Sequence, residues 1–384
     1  MVKAARVCVR PLCDRGGTFV LNDNQLERII GLRRRLHACP ERSGQERQTL
    51  QTIRAFLAEN TDLDVRDMGG WLLAAHFEGE GLSAVGFRAD MDALPLEGTA
   101  DGACHRCGHD GHSAILCGLA LLLNGRRAGK NVFLIFQAAE ETGEGAPRVL
   151  KDWPELRGLS ALYALHNIPG HPRGTVLMRR GCFACASCGH SVRVQGRPAH
   201  AAYPGDGANP VALLCRLALD TPAMIEDILR GDDRLLMRTV IGLLAGGDNY
   251  GISASEGCLN QTLRGHRQAD IDALIDRIES VARVGCEAAG MACRFERHDP
   301  FPDTTNDDAL YDDVMRRFRA AGLPVSVLDE PMRWSEDCGH LLQAVPGVFF
   351  GIGAGEDSPG LHTEGYAFDD ALIAPAVRAF EALL

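Results

Sequence analysis

The sequence predicts an α/β protein built on a mixed, largely parallel sheet, with a second α+β unit of ferredoxin-like order inserted into it. Three observations predict this. Strand-like and helix-like segments alternate through the first half, which implies a sheet covered by helices on both faces. A β-α-β-β-α-β succession follows between residues 191 and 297. Alternation of the first kind then resumes after Pro300. The expected domains are residues 20–183 joined to 298–384, with 184–297 inserted and an N-terminal extension at 1–19.

Each element follows from its pattern. Leu26, Ile29, Ile30 and Leu36 recur at helical spacing, and Leu50, Ile53 and Leu57 mark a second helix. Ser43 and Glu46, three apart, predict a capping box for that second helix. Strands are expected over residues 71–77 and 83–88, a helix over 109–124 and a buried strand over 132–137. Further strands fall at 159–165 and 175–178. In the insertion, strands at 191–195, 236–244, 256–264 and 293–297 are spaced by helices at 209–229 and 269–289. The closing stretch reads as a helix at 307–321, a buried strand at 348–352 and a helix at 369–383. In the extension, Asp14 to Gly17 breaks any helix.

Composition bounds the function. The 384 residues are 46% apolar and 24% charged, an ordinary globular balance that excludes disorder. The net charge of −11 argues against a nucleic-acid partner. The longest apolar run, residues 114–123, is about half of what a bilayer requires, so no membrane partner is expected. Lys3, Arg6 and Arg10 have no apolar block behind them, so a secretory signal is not expected. Fourteen cysteines in a chain of this length do not imply a disulfide framework, and the expected compartment is the reducing cytoplasm.

Four constellations carry chemistry. Cys107-Gly108-His109-Asp110-Gly111-His112 stands at a loop-to-helix junction, where a thiol and an imidazole two residues apart can face one space. Cys104 with Cys107 also forms C-x-x-C, open to a redox or structural-zinc reading. Glu140-Glu141 follows the strand at 132–137, where α/β sheets place ligands; adjacent carboxylates can divide metal binding from proton transfer, or simply form a solvated acidic loop. His166-Asn167-Ile168-Pro169 and Leu361-His362-Thr363-Glu364 stand just past other strands or loops. Cys182, Cys185 and Cys188 form a C-x-x-C-x-x-C run; an iron–sulfur cluster there needs a fourth thiol such as Cys215, and the alternative is a buried hinge of small residues.

From about Leu26 onward the chain resembles the two-domain aminoacylase/carboxypeptidase metallopeptidase family, in its amidohydrolase branch with hippurate hydrolases and indole-acetyl-amino-acid hydrolases. The marks are Arg33-Arg34-Arg35-Leu36-His37 with Pro40-Glu41, Arg88 to Pro95, His105 to His112, and Phe136 to Glu141. His166 with Pro169, Gly196 to Pro204, Ser335-Glu336-Asp337 and Leu361-His362-Thr363 complete them in order. The resemblance implies a zinc-peptidase-like catalytic domain and a lid that also dimerises. It implies two divalent metal ions per subunit (Zn, Mn, Co or Ni), held by Cys107, His109, Glu141, His166 and His362, with Cys107 as a bridging thiolate. Glu140 matches the general base, and Asp92 an acidic residue that supports the site. His200 matches a histidine that relatives send across a dimer to the oxyanion; Asn249 and Arg264 match lid positions that contact substrate, Arg264 pairing with a carboxylate.

The implied reaction is hydrolysis of the amide bond in an N-acyl amino acid or similar small conjugate. The rival readings are a dipeptidase or carboxypeptidase of the same family, and a non-catalytic amide-binding protein on this fold. Departures from the family pattern cluster near the expected site. Ala138 replaces a proline, the lid carries Asn249-Tyr250-Gly251-Ile252-Ser253, residues 96–103 are short, and Arg106 replaces a small residue beside Cys107. Together they imply a reshaped acyl or amine pocket.

Overall fold

A computed structural model describes residues 21–96, 98, 102–246 and 249–384. The expected N-terminal extension and part of the short segment before Cys104 lie outside the described residues. The chain divides into two compact units.

The first unit runs to Gly181 and includes Thr305–Asp329 and Leu341–Leu384. Its centre is an eight-stranded mixed sheet, mostly parallel. The order across it is Asp64–Asp67, Leu72–His76, Asn131–Gln137, Ala84–Asp90, Ala161–Pro169, Gly347–Gly355, Val176–Met178 and Val325–Val327. The three central strands Ala84–Asp90, Asn131–Gln137 and Ala161–Pro169 run parallel, so their C-terminal ends open at one edge. Gly347–Gly355 continues that direction beside Ala161–Pro169. These strands are buried along nearly their whole length, as the continuous apolar runs require. The helix His109–Leu123 is buried at every residue, which explains why its sequence is apolar all round rather than amphipathic. The short edge strands Asp64–Asp67 and Val325–Val327 and the helices Gly145–Asp152 and Cys338–Ala344 escape the periodicity, because each spans too few residues to show a period.

The expected capping box at Ser43 and Glu46 does not form. The helix begins at Arg47 with Glu46 as its N-cap and no side-chain cap. Glu41 instead accepts the amides of Gln48 and Thr49. Ser43 and Glu46 are drawn away by stronger acceptors and donors: the Ser43 hydroxyl donates to Asp92 at 2.6 Å, and Glu46 Oε1 accepts from the Gly44 and Ala139 amides. A capping box does form one helix earlier, between Asn22 and Gln25.

The second unit comprises Cys182–Thr304 and Glu330–His340. Its antiparallel sheet has the order Leu236–Ala245, Glu256–Gly265, Ala186–Gln195, Ala292–Phe301. The helices Val211–Leu229 and Gln268–Ala289 pack on one face, with Leu214, Leu217, Leu259, Leu263, Ile271 and Ile275 in the core. This is the β-α-β-β-α-β order read from the sequence. The stretch at 330–340, which the sequence assigns to the other domain, joins this unit through backbone pairing. Met332 donates to Phe183 O and accepts from the Cys185 amide, and Arg264 donates to Arg333 O and Ser335 Oγ.

Candidate active site

The strand Ala84–Asp90 ends in charged residues with a period of two. Arg88, Asp90 and Asp92 are all buried. Arg88 donates to Asp90 at 2.7 Å and to Gln137 Oε1 at 3.0 Å, so this interior cation has its partners. Against the burial that opposes it, His109, His112 and Arg88 hold Asp90 well below the usual carboxylate range.

The turn into the helix His109–Leu123 needs glycine at its N-cap. Gly108 has φ +105°, and a Cβ there would sit 2.1 Å from Asn167 Oδ1. This close approach lets Asn167 Nδ2 donate to Cys107 O at 3.1 Å, while Asn167 Oδ1 meets His112 Nε2 at 2.6 Å. His112 Nδ1 meets Asp90 at 2.6 Å, and Tyr366 stands 2.5 Å from Asn167 Nδ2. His112 is therefore committed on both nitrogens and braces the turn; it offers no free lone pair to a metal.

The five predicted ligands converge. Cys107 Sγ lies 3.4 Å from both His166 Nε2 and His362 Nε2. Glu141 stands 3.8 Å from His109 Nε2 and 3.8 Å from His362 Nε2. Cys107, His109 and His166 form one potential cation-binding group; Cys107, Glu141 and His362 form a second. Cys107 is common to both.

Two of the three imidazoles have Nδ1 occupied. His109 Nδ1 pairs with Asp92 at 3.0 Å and His166 Nδ1 donates to Asn167 O at 2.7 Å. His109 Nε2 and Glu141 Oε1 are buried without a hydrogen-bond partner. Two buried polar atoms without a partner are costly unless something positive is bound there. Burial, then the neighbouring His112, pushes His166 well below its usual range, leaving a neutral imidazole with a lone pair. Burial raises Glu141 to about 7, and burial with Glu141 pushes the Cys107 thiol up. Against its burial, Asp90, Cys107 and Asp92 hold His109 well above its usual range, so a bound ion would take the place of its proton. Soft sulfur, imidazole nitrogens and a carboxylate suit a zinc-like divalent ion, so the donor set fits the expected group.

Asp92 accepts from His109 and Ser43, and from the Glu141 amide at 3.0 Å. It thus touches two candidate ligands without facing the open lone pairs. Glu140 is buried beside them, its Oε2 3.9 Å from His109 Nε2. Ala139, between the strand and Glu140, has φ +56°, and its amide is held by Glu46 at 2.8 Å. His362 also takes a positive φ, +65°, and its amide donates to Arg106 O at 2.7 Å.

His200, Asn249 and Arg264 belong to the second unit. His200 is exposed, and its Nδ1 accepts the Ala202 amide at 3.1 Å, which leaves the proton on Nε2. Asn249 Oδ1 accepts the Gly251 amide and shapes a turn. Arg264 is bonded as described above. The C-x-x-C-x-x-C thiols do not converge: Cys182 bonds to Ala184 O, Cys188 points into the helix-covered core, and no cation-binding group among the described residues includes them.

The roles of Asp90, His112, Asn167 and Tyr366 in bracing the site go beyond the sequence reading. The first two carried a signal, a run of charges at alternate positions ending a fully buried strand and a histidine three residues into the helix. Tyr366 carried none.

Residues 86–384 match the family model described as peptidase family M20/M25/M40. An N-acetyl-L-cysteine deacetylase from Bacillus subtilis (strain 168) is 29% identical over 93% of this chain and 87% of its own length. An N-acetyldiaminopimelate deacetylase from Lacticaseibacillus casei (strain BL23) is 27% identical over 91% and 95%. Among solved structures, a dinuclear metal-binding peptidase of the M20 family from Bacillus subtilis superposes with a TM-score of 0.79. It is 25% identical and the match covers 94% of this chain and 98% of that one.

Proposed function

The chain belongs to peptidase family M20/M25/M40, and from that premise we propose that it hydrolyses the amide bond of N-acyl amino acids, releasing a carboxylate and an amine. The observation that carries this reading is the pair of cation-binding groups sharing Cys107, with Glu140 beside them. Relatives whose names specify deacetylation of N-acetylated amino acids support the substrate class.

Cys107, His109, Glu141, His166 and His362 would hold two divalent ions, drawn from Zn, Mn, Co or Ni. Bound there, such ions polarise a carbonyl and acidify water. The chain's own residues do the rest. Asp92 fixes the His109 ring and the Glu141 backbone, so both present their open atoms to one space. Glu140 accepts the proton of the attacking water and returns it to the departing amine. The His200 Nε2–H donates to the oxyanion, a charge that exists only in the transition state. Arg264 pairs with the substrate carboxylate, and Asn249 contacts the substrate.

The second unit acts as lid and dimerisation domain in this reading. Its edge strand Leu236–Ala245 exposes Val240, Ile241, Leu243 and Leu244, and Tyr250 and Ile252 are exposed nearby in sequence. An uncovered apolar edge strand is a pairing surface, and a second copy of the chain is the fitting occupant. The described cysteines are all free, and among the described residues no helix is long and apolar enough to cross a membrane. Both are in keeping with a cytoplasmic enzyme.

Amine release from a panel of N-acetyl amino acids and dipeptides, run with each divalent metal, tests the function. Release from the acylated amino acids supports it. Turnover of dipeptides alone moves the assignment to a dipeptidase, and no turnover at any metal loading rejects catalysis.

A further inference from the structure

Glu140 has the amides on either side of it held from outside its own loop. The Ala139 amide donates to Glu46 Oε1 at 2.8 Å, and the Glu141 amide donates to Asp92 Oδ2 at 3.0 Å. Both bonds lead back to one segment, residues 41–46. Glu46 supplies the first directly. Ser43 supports the second, since its hydroxyl donates to the same Asp92 oxygen at 2.6 Å. The segment is itself tied beside Asp92: the Ala93 amide donates to Glu41 O at 2.8 Å, and the Gln45 amide closes a turn onto Arg42 O at 2.9 Å.

The bond to Ala139 opposes a backbone preference. Ala139 has φ +56°, in the left-handed region that a residue with a Cβ disfavours. The methyl side chains of Ala138 and Ala139 carry no polar atom that could fix the turn. On the carbonyl side the loop is closed by the Gly145 amide on Ala139 O at 3.0 Å and the Gly143 amide on Glu140 O at 2.8 Å. On the amide side the partner is Glu46, which is buried and whose Oε1 is also fixed by the Gly44 amide at 2.9 Å. An unusual φ persists only where its surroundings over-determine it. Rotation about the N–Cα bond of Ala139 would swing Glu140, whose Oε2 lies 3.9 Å from His109 Nε2.

We propose that Glu46 is a positioning residue for amide hydrolysis: by holding the Ala139 amide it sets the direction in which the Glu140 carboxylate is presented. This deepens the amidohydrolase reading, in which Glu140 carries the proton. Glu46 acts through the backbone and touches neither substrate nor ion. What it contributes is an acceptor atom, so glutamine should replace it and an apolar side chain should not. A general base moved off its line loses rate while substrate binding is left to other groups, so the effect falls on kcat and not on KM.

The test uses the metal-loaded full chain and three variants. Glu46→Ala removes the acceptor, Glu46→Met removes it while filling the buried space, and Glu46→Gln keeps it. Glu46→Ala and Glu46→Met should lower kcat by about 10- to 100-fold with KM within about twofold of wild type, and Glu46→Gln should stay within about threefold in both. Metal content by mass spectrometry should match wild type in all three. In the metal-free proteins, hydrogen exchange over residues 138–143 should quicken in Glu46→Ala and Glu46→Met and stay as in wild type in Glu46→Gln. Wild-type kcat in Glu46→Met, or a Glu46→Gln protein as slow as Glu46→Ala, overturns the inference while leaving amide hydrolysis intact. Metal lost in step with activity also overturns it, because the effect would then run through Glu141 and not Glu140. If wild type turns over no amide, the amidohydrolase reading fails instead. Unchanged exchange over 138–143 in Glu46→Met then separately rejects the hold of Glu46 on Ala139.

Discussion

Glu46→Gln should make the metal-free protein more stable at pH 8.5 and nearly unchanged at pH 5. Glu46 is 4% exposed, and burial, then the Asp92 charge, raises it from 4.5 to about 7. A carboxyl raised on folding contributes stability that is fully present below its unfolded value near 4.5. That contribution is lost as the pH climbs through about 7. At about 1.4 kcal/mol per pH unit, the ionised side chain costs roughly 3 kcal/mol above pH 8, and under about 1 kcal/mol at pH 5. Glutamine keeps the Oε1 acceptor for the Gly44 and Ala139 amides, at 2.9 and 2.8 Å, but carries no charge. The expected gain in Tm is about 5 °C or more at pH 8.5, from a conversion of roughly 2 °C per kcal/mol for a unit of this size. Scanning calorimetry in chelator at the two pH values measures it. A loss of Tm of equal size at both pH values would refute the reasoning, because it would mean that geometry and not charge sets the contribution of Glu46.

Two further outcomes follow from the same geometry. Gly108→Ala forces a Cβ to 2.1 Å from Asn167 Oδ1 at a φ of +105°, so it should displace the Cys107 turn. Metal content measured by mass spectrometry should fall below one ion per chain even where circular dichroism still reports a folded protein. Asp92→Asn keeps the shape but weakens the hold on the His109 ring and the Glu141 amide; metal affinity from chelator competition should drop by about 10- to 100-fold.

The long elements were legible because each buries a face or an entire run. Leu26 to Leu36 shows the helical period, and Val132 to Gln137 the continuous apolar run of an inner strand. The five converging side chains were legible through motif order, since Cys107 and His362 are 255 residues apart and no local pattern joins them. Local rules failed where a tertiary partner outbid a neighbour. Ser43 and Glu46 have the spacing of a capping box, yet Asp92 and the Ala139 amide take them. The bracing by Asn167 and Tyr366 was invisible for the same reason: it depends on a bond between residues 199 apart. The pairing of Met332 with Phe183 and Cys185, which places 330–340 in the second unit, is likewise a contact that no composition change announces.

The central claim, two ions held by the chain with Glu140 as the proton carrier, is tested most directly on one variant. Glu140→Gln should retain the wild-type metal stoichiometry by mass spectrometry while amide hydrolysis falls by about 10²- to 10⁴-fold, the usual contribution of a general base. Retained turnover in a metal-replete Glu140→Gln protein would contradict the account.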